Sequence, residues 1–249
     1  MPQQKLKSAA QFLPERQTLA TLAEAVQHCR GCDLYRFATQ AVFGEGPVRA
    51  PIVMIGEQPG NDEDLQGHPF VGPAGKLLDR AMQEAGIQRS RVYLTNAVKH
   101  FKFEDRGKRR LHKKPRVSEV NACRPWLEAE LALIKPKIVV CLGATAAHAL
   151  LGPAFRSTEK RGKFFPQPSG SVVTATVHPS AILRAPDDEQ RRGQYRDFVA
   201  DLRRIRQHLA RLDRPLTAAG WSGTNQFSVP GSPPPLAAPR ARTPRSSSG

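Results

Sequence analysis

Four short apolar runs, rich in β-branched residues, constrain most strongly what this chain can fold into. They lie at residues 52–55, 92–98, 138–142 and 172–177. Stretches with helical periodicity lie at residues 75–85, 118–134, 145–150 and 187–212, and Ser118 is the expected N-cap of the second. Strands that are apolar throughout are typical of a parallel sheet buried on both faces. The alternation therefore predicts an α/β fold with helices on both faces of a parallel sheet.

The chain has 249 residues and a formal net charge of +16. This length is sufficient for one domain with a sizeable core, predicted at residues 1–213. The sequence beyond is rich in Pro, Ser and Arg and has no acidic residue, which predicts a disordered tail at residues 214–249. The basic character of the folded part favours a polyanionic partner. No segment approaches the ~20 apolar residues of a membrane span, and there is no apolar signal core, so we expect a cytoplasmic protein.

The stretch at residues 99–116 is exceptionally basic. It contains nine Lys or Arg residues against Glu104 and Asp105, with His112 among them. So many charges cannot join a core, and on the surface they attract an anion such as a phosphate backbone. A solvated loop or a localisation signal is the alternative interpretation.

The four cysteines are the CxxC pair Cys29 and Cys32, together with Cys123 and Cys141. Disulfides are rare in cytosolic proteins, so the alternatives are a metal or cluster site and separate buried thiols. The presence of four cysteines favours a site that uses all of them. Zinc ribbons usually bring two close CxxC pairs, whereas seventeen residues separate Cys123 from Cys141. This spacing suits an iron–sulfur cluster slightly better but leaves the metal open.

Polar residues follow the predicted strands at the edge where ligands of parallel sheets bind. Glu57 follows the first strand, Asn96 and the basic stretch with His112 follow the second, and His178 follows the fourth. Each residue taken singly has a structural explanation, as a turn cap, a backbone partner or an exposed base. Their common position at one rim favours a binding site. Phe70 is either a core aromatic or a platform for a flat ring at that site.

Five motifs occur in one order along the chain. They are GEQPG at 56–60, HPFVGPAG at 68–75, TNAVKHF at 95–101, KRRLH at 108–112 and HPSAILR at 178–184. With these motifs the chain resembles the uracil-DNA glycosylase superfamily over roughly residues 19–209, and it is most similar to the class called UdgX. The resemblance implies a three-layer α/β/α fold with a central four-stranded parallel sheet.

The resemblance also implies roles for individual residues. Phe70 would stack on uracil, and Asn96 would read its polar edge. His178 would donate a hydrogen bond to the uracil carbonyl oxygen on which charge grows, and Glu57 would lie near the sugar. His112 would attack the anomeric carbon and become covalently joined to the abasic DNA.

Further contacts follow from the same resemblance. Gln58 and Asn61 would contact the substrate, although members of this class often carry Asp where Asn61 stands. DNA would be bound by basic side chains, namely Lys108, Arg109, Arg110 and Arg184. The related family 4 glycosylases hold a [4Fe-4S] cluster at positions matching the cysteines, so Cys29, Cys32, Cys123 and Cys141 would ligate one here.

Three functions are compatible with these residues. The first, which the histidine of KRRLH favours, is a DNA repair protein that excises uracil and is trapped on its DNA through His112. The second is a hydrolytic family 4 glycosylase that turns over, and the third is an iron–sulfur DNA-binding module without chemistry. The expected partner is uracil-containing DNA, with single strands preferred, and not a membrane. We expect a monomer located with the nucleoid in the cytoplasm.

Overall fold

The computed structural model describes residues 8–107 and 109–214, apart from the side chains at 157 and 158. Lys108 and the predicted tail beyond Arg214 lie outside the described residues. The strands are β1 Ile52–Gly56, β2 Val92–Asn96, β3 Phe103–Arg106, β4 Arg109–His112, β5 Ile138–Leu142, β6 Phe164–Pro166 and β7 Val172–Thr176. The helices are α1 Leu19–Ala25, α2 Asn61–Gln66, α3 Pro73–Ala85, α4 Val117–Ile134, α5 Ala144–Leu151, α6 Ser157–Lys160, α7 Pro179–Leu183 and α8 Asp188–Leu212. Short 3-10 turns lie at Ala10–Phe12, Val26–His28, Asp33–Arg36 and Arg89–Arg91.

The predicted α/β fold is confirmed, with one additional strand. The order of the sheet is β2-β1-β5-β7-β6. β2, β1, β5 and β7 are parallel, as predicted, whereas β6 pairs antiparallel with β7 at the edge. β6 has only three residues and ends at Pro166, so no apolar run reveals it. An edge position tolerates proline because one side of the strand needs no ladder partner.

Alternate residues of the parallel strands point into two apolar cores. Val53 and Ile55 of β1 face one core, which they share with Trp126 of α4 and with α1 and α5. Ile52 and Met54 face the other core, which is closed by α3, α7 and α8. Burial on both faces explains why these strands read as continuous apolar runs.

The basic stretch forms an antiparallel hairpin of β3 and β4, two strands that the sequence did not predict. Phe103 pairs with His112, and Gly107 makes the turn with φ of +59°. The rings of Phe101 and Phe103 lie 5.1 Å apart. A two-stranded ribbon is marginal by itself, so contacts with the main domain must hold the hairpin in place.

The predicted N-cap of α4 is wrong. The helix begins at Val117, so the cap position falls on Arg116 rather than on Ser118. The Arg116 backbone N–H donates to the Glu119 carboxylate at 2.6 Å. Lys102 donates to the same carboxylate at 2.7 Å. Glu119 therefore closes the first turn and ties the segment before β3 to the helix.

Candidate active site

The four parallel strands end at one rim, and a cavity opens there. The register pairs Gly56 of β1 with Asn96 of β2 and Leu142 of β5 with Thr176 of β7. The cavity has a volume of about 570 Å³. Its walls include seven residues selected from the sequence, namely Glu57, Gln58, Phe70, Asn96, His112, His178 and Arg184. Asn61, Arg109 and Arg110 are not among the lining residues.

Phe70 and Asn96 meet above Gly56 at the floor of the cavity. A Cβ atom at Gly56 would lie 2.3 Å from Asn96 Oδ1 and 2.8 Å from Phe70 Cζ, so only glycine leaves room for both. Phe70 has φ of 60°, a conformation that is uncommon outside glycine and clusters at functional sites. Asn96 is buried, and its side-chain amide has no partner among the described residues. An aromatic face and an unpaired amide thus border one slot.

His178 is the N-cap of α7 and is held as a neutral imidazole. The backbone N–H of Ser180 donates to His178 Nδ1 at 3.1 Å, and the Ser180 hydroxyl lies 2.8 Å from the same atom. Burial, with smaller contributions from Arg184 and His112, lowers the pKa of His178 to about 4. Because Nδ1 accepts a hydrogen bond, the single proton of the neutral ring resides on Nε2. His178 is therefore a neutral donor at this site.

Glu57 is fixed between Thr145 and His112. The Thr145 hydroxyl, in the first turn of α5, donates to Glu57 Oε2. The other carboxylate oxygen, Oε1, lies 3.5 Å from His112 Nε2. Sequence reasoning did not select Thr145 as a site residue. The signal was its place directly after β5, at the same rim as the other strand ends.

His112 projects from the end of β4 toward the cavity and remains half exposed. Partial burial lowers the pKa of His112, and the Arg184 guanidinium lowers it further, against an opposing effect of the Glu57 carboxylate. The ring is therefore neutral at physiological pH. A neutral imidazole nitrogen keeps a lone pair that can act as a nucleophile.

Gln58 anchors the base of the hairpin. Its Nε2 donates to the carbonyl oxygens of Lys102 and Lys113, each at 3.1 Å. Its Oε1 accepts from the Lys102 backbone N–H at 3.1 Å. The side-chain amide is thus used within the protein, and the predicted substrate contact of Gln58 would have to come from another of its atoms.

Arg110 anchors the middle of the hairpin to α2. Its guanidinium donates to Asn61 Oδ1 at 2.9 Å and to Asp64 Oδ2 at 2.7 Å. Asp64 is fully buried, and the guanidinium also lies over the rings of Phe101 and Phe103. The structure therefore engages Arg110 and Asn61 with each other rather than with the cavity, and it gives Asp64 a positioning role that the sequence did not reveal.

Unpaired cations border the mouth of the cavity. Lys114 and Arg184 both line it and are exposed, and neither pairs with a carboxylate of residues 8–107 or 109–214. Arg109 is likewise exposed and unpaired within that part of the chain. Free cations of this kind suit phosphate contacts. Lys114 was not selected from the sequence, because nothing in a run of basic residues marks which one reaches a cavity.

All four cysteines are buried in one apolar core, and electrostatic influence between cysteines is resolved for Cys29, Cys32 and Cys123. Burial is the main cause that raises the pKa of Cys123 to about 12, and Cys32 and Cys29 contribute to the shift. N–H groups point at two of the sulfur atoms, from Trp126 Nε1 to Cys29 at 3.2 Å and from the Lys99 backbone to Cys123 at 3.3 Å. Such donors favour thiolate ligands. Burial alone raises the pKa of Cys141 to about 12, without a contribution from another cysteine.

The fit to a four-cysteine cluster is therefore incomplete. Buried thiols that receive N–H bonds suit three ligands of a cluster. In the described part of the chain, no three Cys, His, Asp or Glu side chains have the geometry of a metal site. Cys141 is the fourth of the five residues of β5 and lies beside Ile55 and Ala175 of the neighbouring strands. The ligand role of Cys141 stays a prediction.

Comparison with known proteins gives one family. Residues 43–203 match the family described as the uracil DNA glycosylase superfamily. The chain belongs to this superfamily. The match contains every cavity residue named above but begins after Cys29 and Cys32.

Individual members of the superfamily are similar over most of the domain. A type-4 uracil-DNA glycosylase of Sulfurisphaera tokodaii is 38% identical over 178 residues, which are 68% of this chain and 78% of the relative. One of Thermotoga maritima is 38% identical over 172 residues, covering 69% and 86%. A type-5 uracil-DNA glycosylase of Thermus thermophilus is 31% identical over 158 residues, covering 56% and 68%. Among the described residues, the structure contains no helix with the length and apolar character to cross a membrane.

Proposed function

We propose that this protein is a uracil-DNA glycosylase, which breaks the bond between uracil and deoxyribose as a step of DNA repair. The observation that carries the proposal is the neutral donor His178, which lies in one cavity with the Phe70 ring and the unpartnered Asn96 amide. Superfamily membership and the similarity to type-4 and type-5 uracil-DNA glycosylases support it.

The charges of the site match those of the reaction. As the C1′–N1 bond breaks, its electron pair leaves with uracil, while the sugar becomes cationic. Nε2–H of His178 stabilises the negative charge on a uracil carbonyl oxygen, and the Glu57 carboxylate stabilises the sugar. The protein supplies these groups already oriented, because Ser180 holds His178 and Thr145 holds Glu57.

Uracil must leave the base stack before it enters the cavity. Extrusion costs a few kcal/mol in a duplex and little in a single strand, which supports a preference for single strands. Stacking on Phe70 offsets part of this cost. Lys114, Arg184 and the exposed cations of the hairpin bind the flanking phosphates.

The finer proposal is that His112 captures the sugar. The Nε2 lone pair of neutral His112 forms a bond to C1′ as uracil departs, the imidazole then loses its remaining N–H proton to solvent, and the uracil anion takes one up. The product is a DNA strand joined to His112 at the abasic site. Support comes from His112, which lines the same cavity as His178 and Phe70, with its Nε2 3.5 Å from Glu57 Oε1. This is the reaction expected of the UdgX class.

Hydrolytic turnover is the second candidate. The similar proteins carry the names of type-4 and type-5 glycosylases, and these names favour an enzyme that releases abasic DNA at least as well as one that is trapped. Both candidates share the cavity, His178 and Glu57. They differ in whether His112 or water reaches C1′.

One denaturing gel separates the candidates. The full chain is incubated with a single-stranded oligonucleotide containing one uracil, and the same oligonucleotide with thymine is the control. A slowly migrating adduct that is lost in His112→Ala, with alkali-labile abasic DNA in its place, supports capture. Abasic DNA without an adduct from the unmodified protein supports turnover. Unchanged DNA in both proteins would overturn the glycosylase proposal.

Further expectations accompany this function. A cluster ligated by Cys29, Cys32, Cys123 and Cys141 would supply structural support for the fold or the DNA contact, since excision of uracil needs no electron. We also propose that the protein acts as a monomer on nucleoid DNA in the cytoplasm. Iron analysis of the purified protein tests the cluster, and the absence of iron and sulfide would contradict it.

A further inference from the structure

Lys99 is a fully buried cation directly behind the cavity. Its side chain and that of Glu130 are 0% exposed. Lys99 Nζ donates to Glu130 Oε2 at 2.5 Å, to Thr95 Oγ1 at 2.6 Å and to the carbonyl oxygen of Asn96 at 3.0 Å. All three ammonium protons are therefore used, and one of them fixes the backbone of the residue that borders the uracil slot.

Glu130 completes a closed network with β2. Its carboxylate accepts from the hydroxyls of Tyr93 and Thr95, each at 2.9 Å, and from the Gly44 backbone N–H at 3.2 Å. Burial and the Glu130 carboxylate raise the pKa of Tyr93, so Tyr93 remains a neutral donor. Tyr93 and Thr95 alternate with Leu94 and Asn96 along β2, so the network lies on the face of the strand opposite to the Asn96 side chain.

A buried ion pair is a poor source of stability, because desolvation of both charges offsets their attraction. Apolar side chains of similar volume would fill this space at no greater cost. A network this complete instead specifies one arrangement of the atoms around it. The arrangement that it specifies here is the end of β2 together with the segment that follows it, from Thr95 to Lys99.

The end of β2 is where Asn96 must be held. The Ala97 and Val98 backbone N–H groups donate to Gly56 and Glu57 carbonyl oxygens at 3.0 Å, which fixes one side of this segment. The Lys99 ammonium donates to the Asn96 carbonyl oxygen and holds the backbone from the side of the buried network. With its backbone held and its side-chain amide unpartnered, Asn96 presents that amide to the slot.

We infer that the buried Lys99–Glu130 pair is a positioning unit that orients Asn96 to read the polar edge of uracil. The inference rests on the proposed function and deepens it, because it assigns base recognition to a pair that never touches the base. The Lys99 backbone N–H also donates to Cys123 Sγ. The same residue thus joins Cys123 to the base-reading side chain.

A double-mutant cycle tests this positioning role. Uracil release is measured under single-turnover conditions for the full-length protein, Asn96→Ala, Lys99→Met and the double variant. We expect Lys99→Met to lower the rate at saturating DNA about tenfold, the equivalent of one misplaced hydrogen bond. The DNA concentration at half saturation should stay unchanged, because the phosphate contacts are untouched. In the Asn96→Ala background, Lys99→Met should change the rate less than about twofold, because the residue through which it acts is gone.

Two further variants separate positioning from stability. Arg161→Met removes another ion pair with a buried partner, Arg161 to Asp201 at 2.5 Å, away from the Asn96 network. It should lower the unfolding midpoint in urea without the loss of rate. Glu130→Gln keeps the shape of the network, and it should cause a smaller loss of rate that again disappears beside Asn96→Ala. If Lys99→Met does not fold, Glu130→Gln alone provides the test.

The outcomes distinguish the two proposals. No uracil release by the unmodified protein would overturn the proposed function. An unaltered rate in Asn96→Ala would remove the base-reading role of Asn96 and, with it, the role of Lys99. In a third outcome, Asn96→Ala lowers the rate of uracil release, and Lys99→Met lowers it by the same further factor with and without Asn96→Ala. That outcome would overturn the positioning inference alone.

Discussion

At the scale of single residues, the site depends on side chains that fix the tautomer, the charge or the orientation of the side chains lining the cavity. Ser180 fixes the tautomer of His178, and burial keeps that ring neutral. Thr145 fixes Glu57, which in turn faces His112. The side chains that touch substrate in the proposed reaction are therefore only part of what the reaction requires.

The Thr145 contact gives the first prediction. Thr145→Val keeps the volume but removes the hydroxyl that donates to Glu57, so the carboxylate loses its fixed orientation. We expect the single-turnover rate of uracil release to fall about tenfold, a value typical of one hydrogen bond that matters in the transition state. Thr174→Val, at a buried threonine of β7 outside the cavity lining, is the control. Equal rates for the two variants would contradict the role of Thr145.

The pKa of His112 gives the second prediction. Because partial burial holds this pKa below its ordinary value of 6.5, the ring remains an unprotonated nucleophile at neutral pH and becomes protonated only on acidification. The rate of adduct formation should therefore be level at neutral pH and decline on the acidic side, with its midpoint below pH 6.5. Rates are measured by quenching samples onto denaturing gels. A midpoint above pH 6.5 would be inconsistent with the environment of His112.

At the scale of elements, the hairpin of β3 and β4 is a separate part that has to be docked. Gln58 binds its base, and Arg110 binds its middle to Asp64 and Asn61 of α2. These contacts hold the hairpin against the domain, and His112 at its end therefore lies at the cavity. The function of the hairpin therefore depends on where it is fixed as well as on its charge.

Weakening the contacts that hold the hairpin in place should reduce covalent capture of the DNA more than it reduces excision of uracil. Arg110→Met removes the ion pair to Asp64, and we expect adduct formation to fall about tenfold, since a shift near 1 Å at a reacting atom is enough for such a loss. Uracil release should fall less, because His178, Phe70 and Asn96 are untouched. Arg106→Met, an exposed arginine of β3 without an ion pair in the described residues, controls for lost charge. Parallel losses of adduct and of uracil release in Arg110→Met would argue against docking.

At the scale of the whole molecule, the neutral, buried imidazole of His178 makes the stability of the fold depend on pH. His178 has a pKa of about 4 in the folded protein, below the value of about 6.5 expected in the unfolded chain. The unfolded chain therefore binds more protons between these values. Stability that is complete above pH 6.5 is lost progressively as the pH falls to about 4.

This linkage gives a stability prediction. We expect His178 to account for up to about 3 kcal/mol of the stability lost between pH 6.5 and 4. His178→Asn, which keeps an N-cap side chain but does not titrate in this range, should show a flatter dependence. Urea unfolding at several pH values measures both proteins. If the two curves are parallel from pH 6.5 to 4, His178 is not buried as a neutral ring.

The sequence predictions are accurate where a feature depends on neighbouring residues, and they fail where it depends on contacts that leave no local pattern. Continuous apolar runs revealed β1, β2, β5 and β7, because burial on both faces leaves a local pattern. β6 left no such pattern, and neither did the cap at Arg116, which depends on a carboxylate three residues away. The sequence also selected Glu57, Phe70, Asn96, His112 and His178, and the structure brings them together.

Contacts between distant residues account for what was missed. Thr145 and Glu57 lie 88 residues apart, and Arg110 and Asp64 lie 46 residues apart. No local pattern marks either partner. Lys99 reads as one more base in a basic stretch, yet it is fully buried against Glu130. Its environment reverses the expectation that its charge alone would give.

The sequence by itself determined the layered α/β architecture, the rim where the site forms and the basic character of the segment that bears His112, since these depend on local pattern and on strand direction. Only the tertiary structure decided which cations remain unpaired at the cavity mouth and which, like Lys99, are buried in ion pairs. Such outcomes depend on which side chains meet across the fold, and those meetings are fixed by packing rather than by neighbours along the chain.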